Sequence, residues 1–420
     1  MLNLALLGAR ISQKEQLLRQ ASLWLAPART GNLVNLASRT VPITFTRSTT
    51  ATFLDKDGLL KTAGVDVPVI EYDANGNCLG LRVWGAVTNL APRSEDFTAA
   101  AWTAFRSTPS ANTTTSPNGQ ITADRLTEDT SASNTHGIFQ TSTIANLTTY
   151  TYSVFVKPNE RTQVVLALNL GAGEKKTWFN LSNGTIGTNA NSTALIIPYP
   201  NGWFRIAITS TSSSTTATQV IKLATADNVE IYTGDGVSSI SLFGAQLNPG
   251  PLAPYVPTTA TAASSAVDML TVTGADVARI INNSSLTIFA RARRGYSGNF
   301  NSYPSLYEIS DGSTNNLLFA YGVLDRTALT NFSVNSSGVS QTDYVQISEP
   351  TTNSFGIAHA LSTNDSQFAG KGVLTTPDNS VAMPTNLNQI NIGKAWTGYI
   401  EEFAIFRSRR PNRDLILLTQ

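Results

Sequence analysis

The sequence contains very few of the residues that build disulfides, metal centres and redox sites. Cys78 is the single cysteine among 420 residues, and His136 and His359 are the two histidines. One cysteine cannot form an internal disulfide, and two histidines far apart in the chain do not suggest a metal cluster. We therefore expect no cofactor and no metal. The cysteine usage fits synthesis in a reducing compartment.

Charge is also scarce. Lys, Arg, Asp and Glu make up 14% of the residues, and the formal net charge is +1. Without a basic excess, a nucleic-acid partner is not expected. No stretch approaches the roughly 18 consecutive apolar residues of a membrane span. The opening MLNLALLGAR lacks the basic flank of a signal peptide, so neither membrane insertion nor export by a signal peptide is expected.

The polar residues that are abundant are Ser, Thr and Asn, which favour strands and turns over helices. Alternating runs such as YTYSVFVKP, TQVVLALNL and SISLFGAQLN are separated by Gly, Asn and Pro. A second series of short runs begins near residue 264 and continues to the end. This pattern predicts an all-β fold with two tandem antiparallel β-sandwiches, preceded by a short N-terminal helix and arm.

The one predicted helix lies near the N-terminus. Ser12 with Glu15 three residues later forms a capping box, and Pro27 ends the helical pattern. We expect three to four turns. Its apolar stripe serves either packing within its own domain or attachment and oligomerisation; the stripe comprises Leu17, Leu18, Ala21, Trp24 and Leu25.

Two hairpins are predicted after the helix, with turns at Asp57-Gly58 and Asn75-Gly76. Asp55, Asp57 and Gly58 also share part of a calcium-loop pattern, but the glutamate expected at the twelfth position is missing. The predicted division of the chain has four parts. They are a helix and attachment arm at 1–44, a strand-turn connector at 45–89, a jelly-roll at 90–257 and a concanavalin- or laminin-G-like sandwich at 258–420. The sequence leaves open whether 45–89 belongs to the first sandwich or forms a stalk.

Ordered blocks of sequence carry a family resemblance. They are the stretch from Phe45 to Trp102, then ADRLTED, YTYSVFVKP, FNLSNGTIG, NGWFRIAITST, GDGVSSISLFGAQLNPGPLAPYVPT and the closing INIGKAWTGYIEEFAIFRSRRPNRDLILLT. In this order they resemble the fibre, spike and minor tail proteins of tailed bacteriophages. The resemblance implies a jelly-roll like those of carbohydrate-binding modules and a laminin-G-like C-terminal sandwich.

The same resemblance implies a function. The chain would be a fibre or spike subunit, assembled in the host cytoplasm and exposed on the virion, on the head, collar or tail. Its N-terminal segment would attach to other virion proteins, and a homo-oligomer, with a trimer favoured, would adhere to host surface glycans. A decoration protein without a ligand and a glycan-cleaving enzyme are the alternatives.

Exposed aromatic rings beside turns are candidates for stacking on sugars, and the sequence offers Trp178, Tyr232 and Trp396. For each of them, packing in a core is the competing interpretation. No catalytic residue is assigned. The carboxylate pairs Glu95-Asp96, Glu128-Asp129 and Glu401-Glu402 are neighbours in sequence, so on strands they point to opposite faces and make no catalytic dyad.

Overall fold

The computed structural model describes residues 11–37, 41–295, 305–322, 329–343, 347–348, 354–394 and 396–420. Residues 1–10 of the expected attachment arm lie outside this set. The expectation of an all-β fold is confirmed. Among the described residues, no helix is both long and apolar enough to cross a membrane.

The first 89 residues contribute short elements. They are α1 (Gln13–Leu18), β1 (Leu23–Leu25), α2 (Pro27–Thr30), β2 (Thr44–Thr46), β3 (Ala51–Leu54), β4 (Leu60–Ala63), β5 (Ile70–Tyr72), β6 (Cys78–Val83) and β7 (Val87–Asn89).

The middle of the chain contains longer strands. They are β8 (Thr103–Phe105), β9 (Ser107–Thr115), β10 (Ile121–Glu128), β11 (Gly137–Thr143), β12 (Thr149–Pro158), β13 (Gln163–Asn169), β14 (Glu174–Asn180), β15 (Thr185–Ala190), β16 (Thr193–Tyr199), β17 (Trp203–Thr211), β18 (Thr216–Ala224) and β19 (Ser239–Pro249).

The last part of the chain returns to strands of mixed length and ends in a helix. Its elements are β20 (Ala263–Ser265), β21 (Met269–Thr273), α3 (Val277–Ile280), β22 (Ser285–Arg294), β23 (Ser305–Ser310), β24 (Leu317–Gly322), β25 (Leu329–Ser336), β26 (Val339–Asp343), β27 (Ile347–Ser348), β28 (Ser354–Ser362), β29 (Asp365–Gly370), β30 (Val373–Leu374), β31 (Gln389–Ile392), β32 (Gly398–Phe406) and α4 (Asn412–Thr419).

Strands from both ends of the chain build one sandwich, which we call the host sandwich (described residues within 11–83 and 266–420). In one sheet the order is β30-β29-β28-β22-β32-β6-β5, with β1 also paired to β32. In the other the order is β2-β21-β31-β23-β24-β25-β26, with β27 on β25. Leu23 and Leu81 from the N-terminal part share one apolar core with Ile288 and Ile390.

This pairing corrects the linear division of the chain. Residues expected to form an attachment arm and a connector supply β1, β2, β5 and β6 to the two sheets of the C-terminal sandwich. A sandwich that buries apolar residues from both chain ends cannot be a tandem neighbour of the domain between them. The sequence pattern could not reveal this, because short strands do not encode their partners.

The predicted helix is shorter than expected. Ser12 caps it as predicted, with its Oγ accepting from the backbone N–H of Glu15 at 3.1 Å. The helix ends at Leu18, however, and Trp24 and Leu25 lie in β1. Pairing of β1 with Phe403–Ile405 satisfies the backbone hydrogen-bonding groups of Leu23–Leu25. This pairing decides their conformation, although their apolar residues are also spaced as in a helix.

The apolar stripe is buried within the chain itself. Leu17, Leu18, Ala21 and Trp24 pack in a cluster with residues that include Phe289, Phe406, Leu415 and Leu418, while Leu25 joins the host core. The structure therefore favours the first interpretation of the stripe, packing within its own domain. As buried residues they present no surface for attachment or oligomerisation.

The second sandwich, the inserted sandwich (residues 90–257), lies between the two halves of the host. Its sheets have the orders β16-β17-β12-β19-β10-β9 and β15-β14-β13-β18-β11-β8. Alternation along β12 points Tyr152 and Val154 between the sheets. Phe155 points to the opposite face, where it packs with Trp203 and Phe243 of the same sheet.

Two crossings join the sandwiches, and they pair with each other. β7 and β20 form a two-stranded antiparallel sheet in which Asn89 faces Ala263. Buried Asn89 donates from Nδ2 to the carbonyls of Ala245 (3.0 Å) and Val256 (2.8 Å). The entry and exit of the insertion are therefore held side by side.

Both predicted hairpins are confirmed. β3 pairs with β4 across the Asp57-Gly58 turn, and β5 pairs with β6 across the Asn75-Gly76 turn. Asp55 Oδ1 accepts from the backbone N–H groups of Asp57 and Leu59, so this aspartate stabilises its own turn. Within the described residues, no group of three or more His, Cys, Asp or Glu side chains could hold a metal ion.

Candidate functional site

A cavity of about 130 Å³ lies where the two sandwiches meet. The host contributes the β3–β4 hairpin, β5 and the start of β32. The inserted sandwich contributes the end of β16 and the start of β17, and the segment that leaves it contributes residues 254–255. The cavity is thus built by parts of the chain that are distant in sequence.

Five aromatic side chains line the cavity: Tyr72, Trp84, Tyr199, Tyr255 and Tyr399. Trp84 and Tyr399 meet edge to face with 6.3 Å between ring centroids. Tyr199 and Tyr255 both meet Phe155 in the same manner, at 4.9 and 5.7 Å. Trp84 and Tyr255 are buried, whereas the other three are partly exposed. Packing of this kind fixes ring orientations before any ligand arrives.

Glu71 and Asp73 are the acidic residues among those described along the cavity, and Glu71 is the one held between the hairpin and the host sheet. Its Oε1 accepts a hydrogen bond from the backbone N–H of Leu54 at 3.3 Å. Burial raises the pKa of Glu71, and the charge of Arg82, whose Nη1 lies 3.9 Å from Oε2, opposes that rise together with a hydrogen bond from Tyr399. Glu71 therefore joins the hairpin to the host sheet while facing the cavity.

Arg205 is the basic group of the cavity. Its side chain is nearly buried, with the guanidinium over the Phe155 ring at 5.3 Å and Nη2 donating to Ser153 Oγ at 3.0 Å. Its Nε has no hydrogen-bond partner among the described residues. A buried donor of this kind favours a ligand oxygen as its partner.

A buried network of two arginines and one aspartate lies next to the cavity, and Arg82 in it donates to the carbonyl of the cavity residue Thr52. Arg47 Nη1 lies 3.1 Å from Asp268 Oδ1, and Arg82 Nε lies 3.7 Å from Asp268 Oδ2. Arg47 also donates to the carbonyls of Gly64 and Val67. Arg47 belongs to the sequence block that carried the family resemblance. Its partners Gly64, Val67 and Asp268 all belong to the host sandwich, so this part of the block is built into the host.

The structure places Trp178 away from the cavity. Trp178 is 2% exposed and packs with Val165 and Ala224 on the outer face of β13, β14 and β18. The Lys176 ammonium lies 5.1 Å from its ring centroid, and Glu230 binds that ammonium. No open ring face is left for a sugar, so the candidate assignment of Trp178 is corrected to packing.

Trp396 is likewise part of a core. It is 1% exposed, with Phe355 at 6.2 Å and the Arg294 guanidinium at 5.0 Å from its ring. Its place beside a turn in the sequence suggested exposure. The β32 strand that follows instead draws it into the host core.

Tyr232 is half-buried in a charged cluster at one end of the inserted sandwich. Its hydroxyl donates to Glu128 Oε2 at 2.7 Å, the Arg161 guanidinium lies 5.2 Å from its ring, and the His136 ring centroid is 4.7 Å away. Burial, followed by Glu128, raises the pKa of Tyr232. These neighbours contact the hydroxyl and the ring that a sugar would need. Tyr232 is therefore assigned to packing within this cluster.

The adjacent carboxylates also have structural partners. Glu95 accepts from the Tyr255 hydroxyl at 2.9 Å, Glu128 binds Arg161, and Glu401 lies 3.1 Å from Arg293. These bonds join separate strands and loops.

A scan of protein-family models and a search of curated proteins found no match to the chain. Solved structures with some likeness include the CBM40 module of a Ruminococcus gnavus IT-sialidase, at 13% identity and a TM-score of 0.28, covering 34% of this chain and 88% of that one. The tandem CBM22 domains of Paenibacillus barcinonensis Xyn10C follow at 11% identity and a TM-score of 0.26, covering 77% and 99%. Mouse laminin α1 LG4-5 gives 8% identity and a TM-score of 0.23, covering 67% and 93%.

Identities and TM-scores this low carry no functional conclusion for this chain. Its class follows from its own strand pairing: an all-β protein made of two antiparallel β-sandwiches, one inserted into the other, with an aromatic cavity at their junction.

Sequence reasoning missed the residues of the cavity. Tyr199, Arg205 and Tyr255 stand within or beside blocks quoted for the family resemblance, and Tyr72 and Trp84 stand in the first of them. Their place in or beside these blocks is the one feature of the sequence that could have indicated them. Single aromatics beside turns were a poorer guide, because a turn in sequence does not exclude burial.

Proposed function

We propose that the chain is a non-enzymatic glycan-binding protein whose site is the cavity between the sandwiches. One observation carries this proposal: three partly exposed tyrosines surround a partly buried glutamate and a buried arginine whose Nε–H has no partner among the described residues. Sugars are bound by aromatic faces that stack on the ring, while a few polar groups accept and donate hydrogen bonds to hydroxyls. The cavity volume suits one sugar residue rather than a long chain.

We place this activity in a fibre or spike subunit of a tailed-bacteriophage virion. The ordered blocks of sequence support this setting. In it, weak single-site contacts would be multiplied by many copies on one particle, and a trimer is the favoured assembly. Light scattering of the purified chain tests the trimer, and labelling of intact particles with an antibody to the chain tests the location.

Decoration of a particle without any ligand is the second candidate. The burial of Trp178 and Trp396 and the packed ring of Tyr232 favour it, since the three aromatics first suspected of stacking are all engaged in packing.

Glycan cleavage has less support. In the cavity, Glu71 is bonded to Leu54, and Asp73 accepts from the backbone of Asn75 and Asn77.

The test is a glycan array with the full chain, followed by calorimetric titration of the best ligand. Tyr199→Ala should weaken binding about tenfold, the loss expected when one stacked ring is removed. Phe139→Ala is the matched control, because Phe139 is a half-buried aromatic on the other sheet of the same sandwich. If the folded chain binds no glycan even when displayed in many copies, decoration becomes the better explanation.

A further inference from the structure

A second concave surface lies at the far end of the host sandwich. Its volume is about 320 Å³, and it is formed where the end of α1 meets the end of β32. Three arginines line it, Arg19, Arg407 and Arg410, and none of the described residues that line it carries a carboxylate. The chain as a whole is nearly neutral, with a formal net charge of +1, so this positive charge is local.

The acidic residue nearest to Arg19 is shared. Glu15 lies 2.7 Å from Arg19 Nη2 and 3.2 Å from Arg29 Nη1. One carboxylate neutralises only one of these two guanidinium groups. In the hydrogen bonds among the described residues, Nε and Nη1 of Arg19 are not used.

Arginines also outnumber carboxylates on the side of the surface that the end of β32 and the loop after it form. Asp414 is shared by Arg410, at 2.9 Å, and Arg413, at 3.7 Å. Arg407 is paired with no carboxylate among the described residues, and its Nη1 donates to the backbone carbonyl of Ala278. The surface therefore keeps excess positive charge and unused guanidinium N–H groups on both sides.

The loop between β32 and α4, which carries Arg407 and Arg410, is held by hydrogen bonds. Thr287 Oγ1 donates to the carbonyl of Ser408 at 2.9 Å and accepts from the backbone N–H of Arg410 at 2.8 Å. Arg409 Nη1 closes the loop by donating to Asn412 Oδ1 at 2.7 Å. A fixed loop presents its charged groups at little further entropic cost when a ligand binds.

We propose that this arginine surface binds a phosphate group, either free or as part of a phosphate-bearing polymer. Guanidinium groups form paired hydrogen bonds with phosphate oxygens. Donors that approach from a helix end and from a loop suit the tetrahedral arrangement of phosphate oxygens better than the two coplanar oxygens of a carboxylate. Because Arg19 is 57% exposed, binding weakens as ionic strength rises.

The arginine surface is separate from the aromatic cavity. Tyr399 stands near the start of β32 and Phe406 at its end, so the two sites are about 23 Å apart along this strand at the usual rise per residue. Phosphate binding at one end is expected to leave sugar binding at the other unchanged.

The experiment is a titration of the full chain with inorganic phosphate at low ionic strength, followed by NMR or calorimetry. Wild-type protein should bind saturably. Arg407→Gln should weaken binding about tenfold, since a charge-assisted hydrogen bond is lost. Arg19→Gln with Arg407→Gln should abolish it. Arg93→Gln is the matched control, because this exposed arginine lies on the inserted sandwich with its own partner Asp96.

A second arm titrates poly(glycerol phosphate) at the same phosphate concentration. Tighter binding of the polymer identifies a phosphate-bearing chain as the source, and equal binding identifies the free anion. Absence of saturable phosphate binding, or an equal loss in Arg93→Gln, overturns the proposal. Circular dichroism of each variant confirms that folded proteins are compared.

Discussion

Lys14 illustrates how a single partly buried charge connects the N-terminal helix to the rest of the host sandwich. Its Nζ donates to the carbonyl of Leu418 at 2.5 Å and lies 4.7 Å from the centroid of the Phe289 ring. Burial, and then the charge of Arg291, lower the pKa of Lys14 from 10.5 to about 8, with Glu402 opposing. The amine is thus kept near apolar groups against the cost of desolvating its charge.

We expect this shift to appear in the pH dependence of stability. Between about pH 8 and 10.5 the unfolded chain keeps the proton on Lys14 and the folded chain releases it. The unfolded state then binds more protons, so the free energy of unfolding rises with pH through this window. Comparing urea unfolding of wild type and Lys14→Met across the window isolates the effect. Parallel pH profiles for the two proteins would show that the amine does not titrate early.

At the level of elements, the β3–β4 hairpin reaches from the host to the inserted sandwich. Leu60 packs in one cluster with Phe155, Trp203 and Phe243 of the inserted sandwich. At the turn, Gly58 has a φ of +75°, and a Cβ added there would meet Pro200 Cγ at 2.7 Å. The glycine is thus required by both the turn and the close approach.

Gly58→Ala should lower the free energy of unfolding by about 2 to 3 kcal/mol, since backbone strain and the collision with Pro200 add. Gly76→Ala is the matched control: its φ is +79°, but no atom of the described residues lies within 4 Å of an added Cβ. Strain alone should cost about 1 kcal/mol there. Denaturant unfolding measures both variants, and equal losses would mean that the hairpin tip does not press on the inserted sandwich.

How far the sequence predicts the elements depends on whether local chemistry decides them. The turns at Gly58 and Gly76 and the cap at Ser12 follow from the residues that form them, and all three were predicted. The helix beyond Leu18 was predicted wrongly, because β1 is stabilised by pairing with a strand some 380 residues later. The cavity escaped prediction for the same reason: Tyr72 and Tyr399 meet only after the chain ends come together.

At the level of the whole molecule, insertion of one sandwich into the other determines which fragments can fold. Removal of residues 1–89 deletes β1, β2, β5 and β6 from the two host sheets and exposes the core that Leu23 and Leu81 help to fill. The inserted sandwich keeps its own core in such a fragment. Truncation at residue 90 therefore damages the C-terminal part of the host sandwich, although the whole inserted sandwich lies between that part and the cut.

Calorimetry of three chains tests this arrangement. Fragment 87–265, which retains the β7–β20 pair, should unfold cooperatively on its own. Fragment 90–420 should show only that transition, because its host sheets lack strands from the N-terminal part. A chain in which a short turn replaces residues 90–262 should retain a folded host, since Asn89 and Ala263 are already paired. If fragment 90–420 unfolded with the full enthalpy of the intact chain, the N-terminal strands would be dispensable, and their burial in the host core would carry no stability.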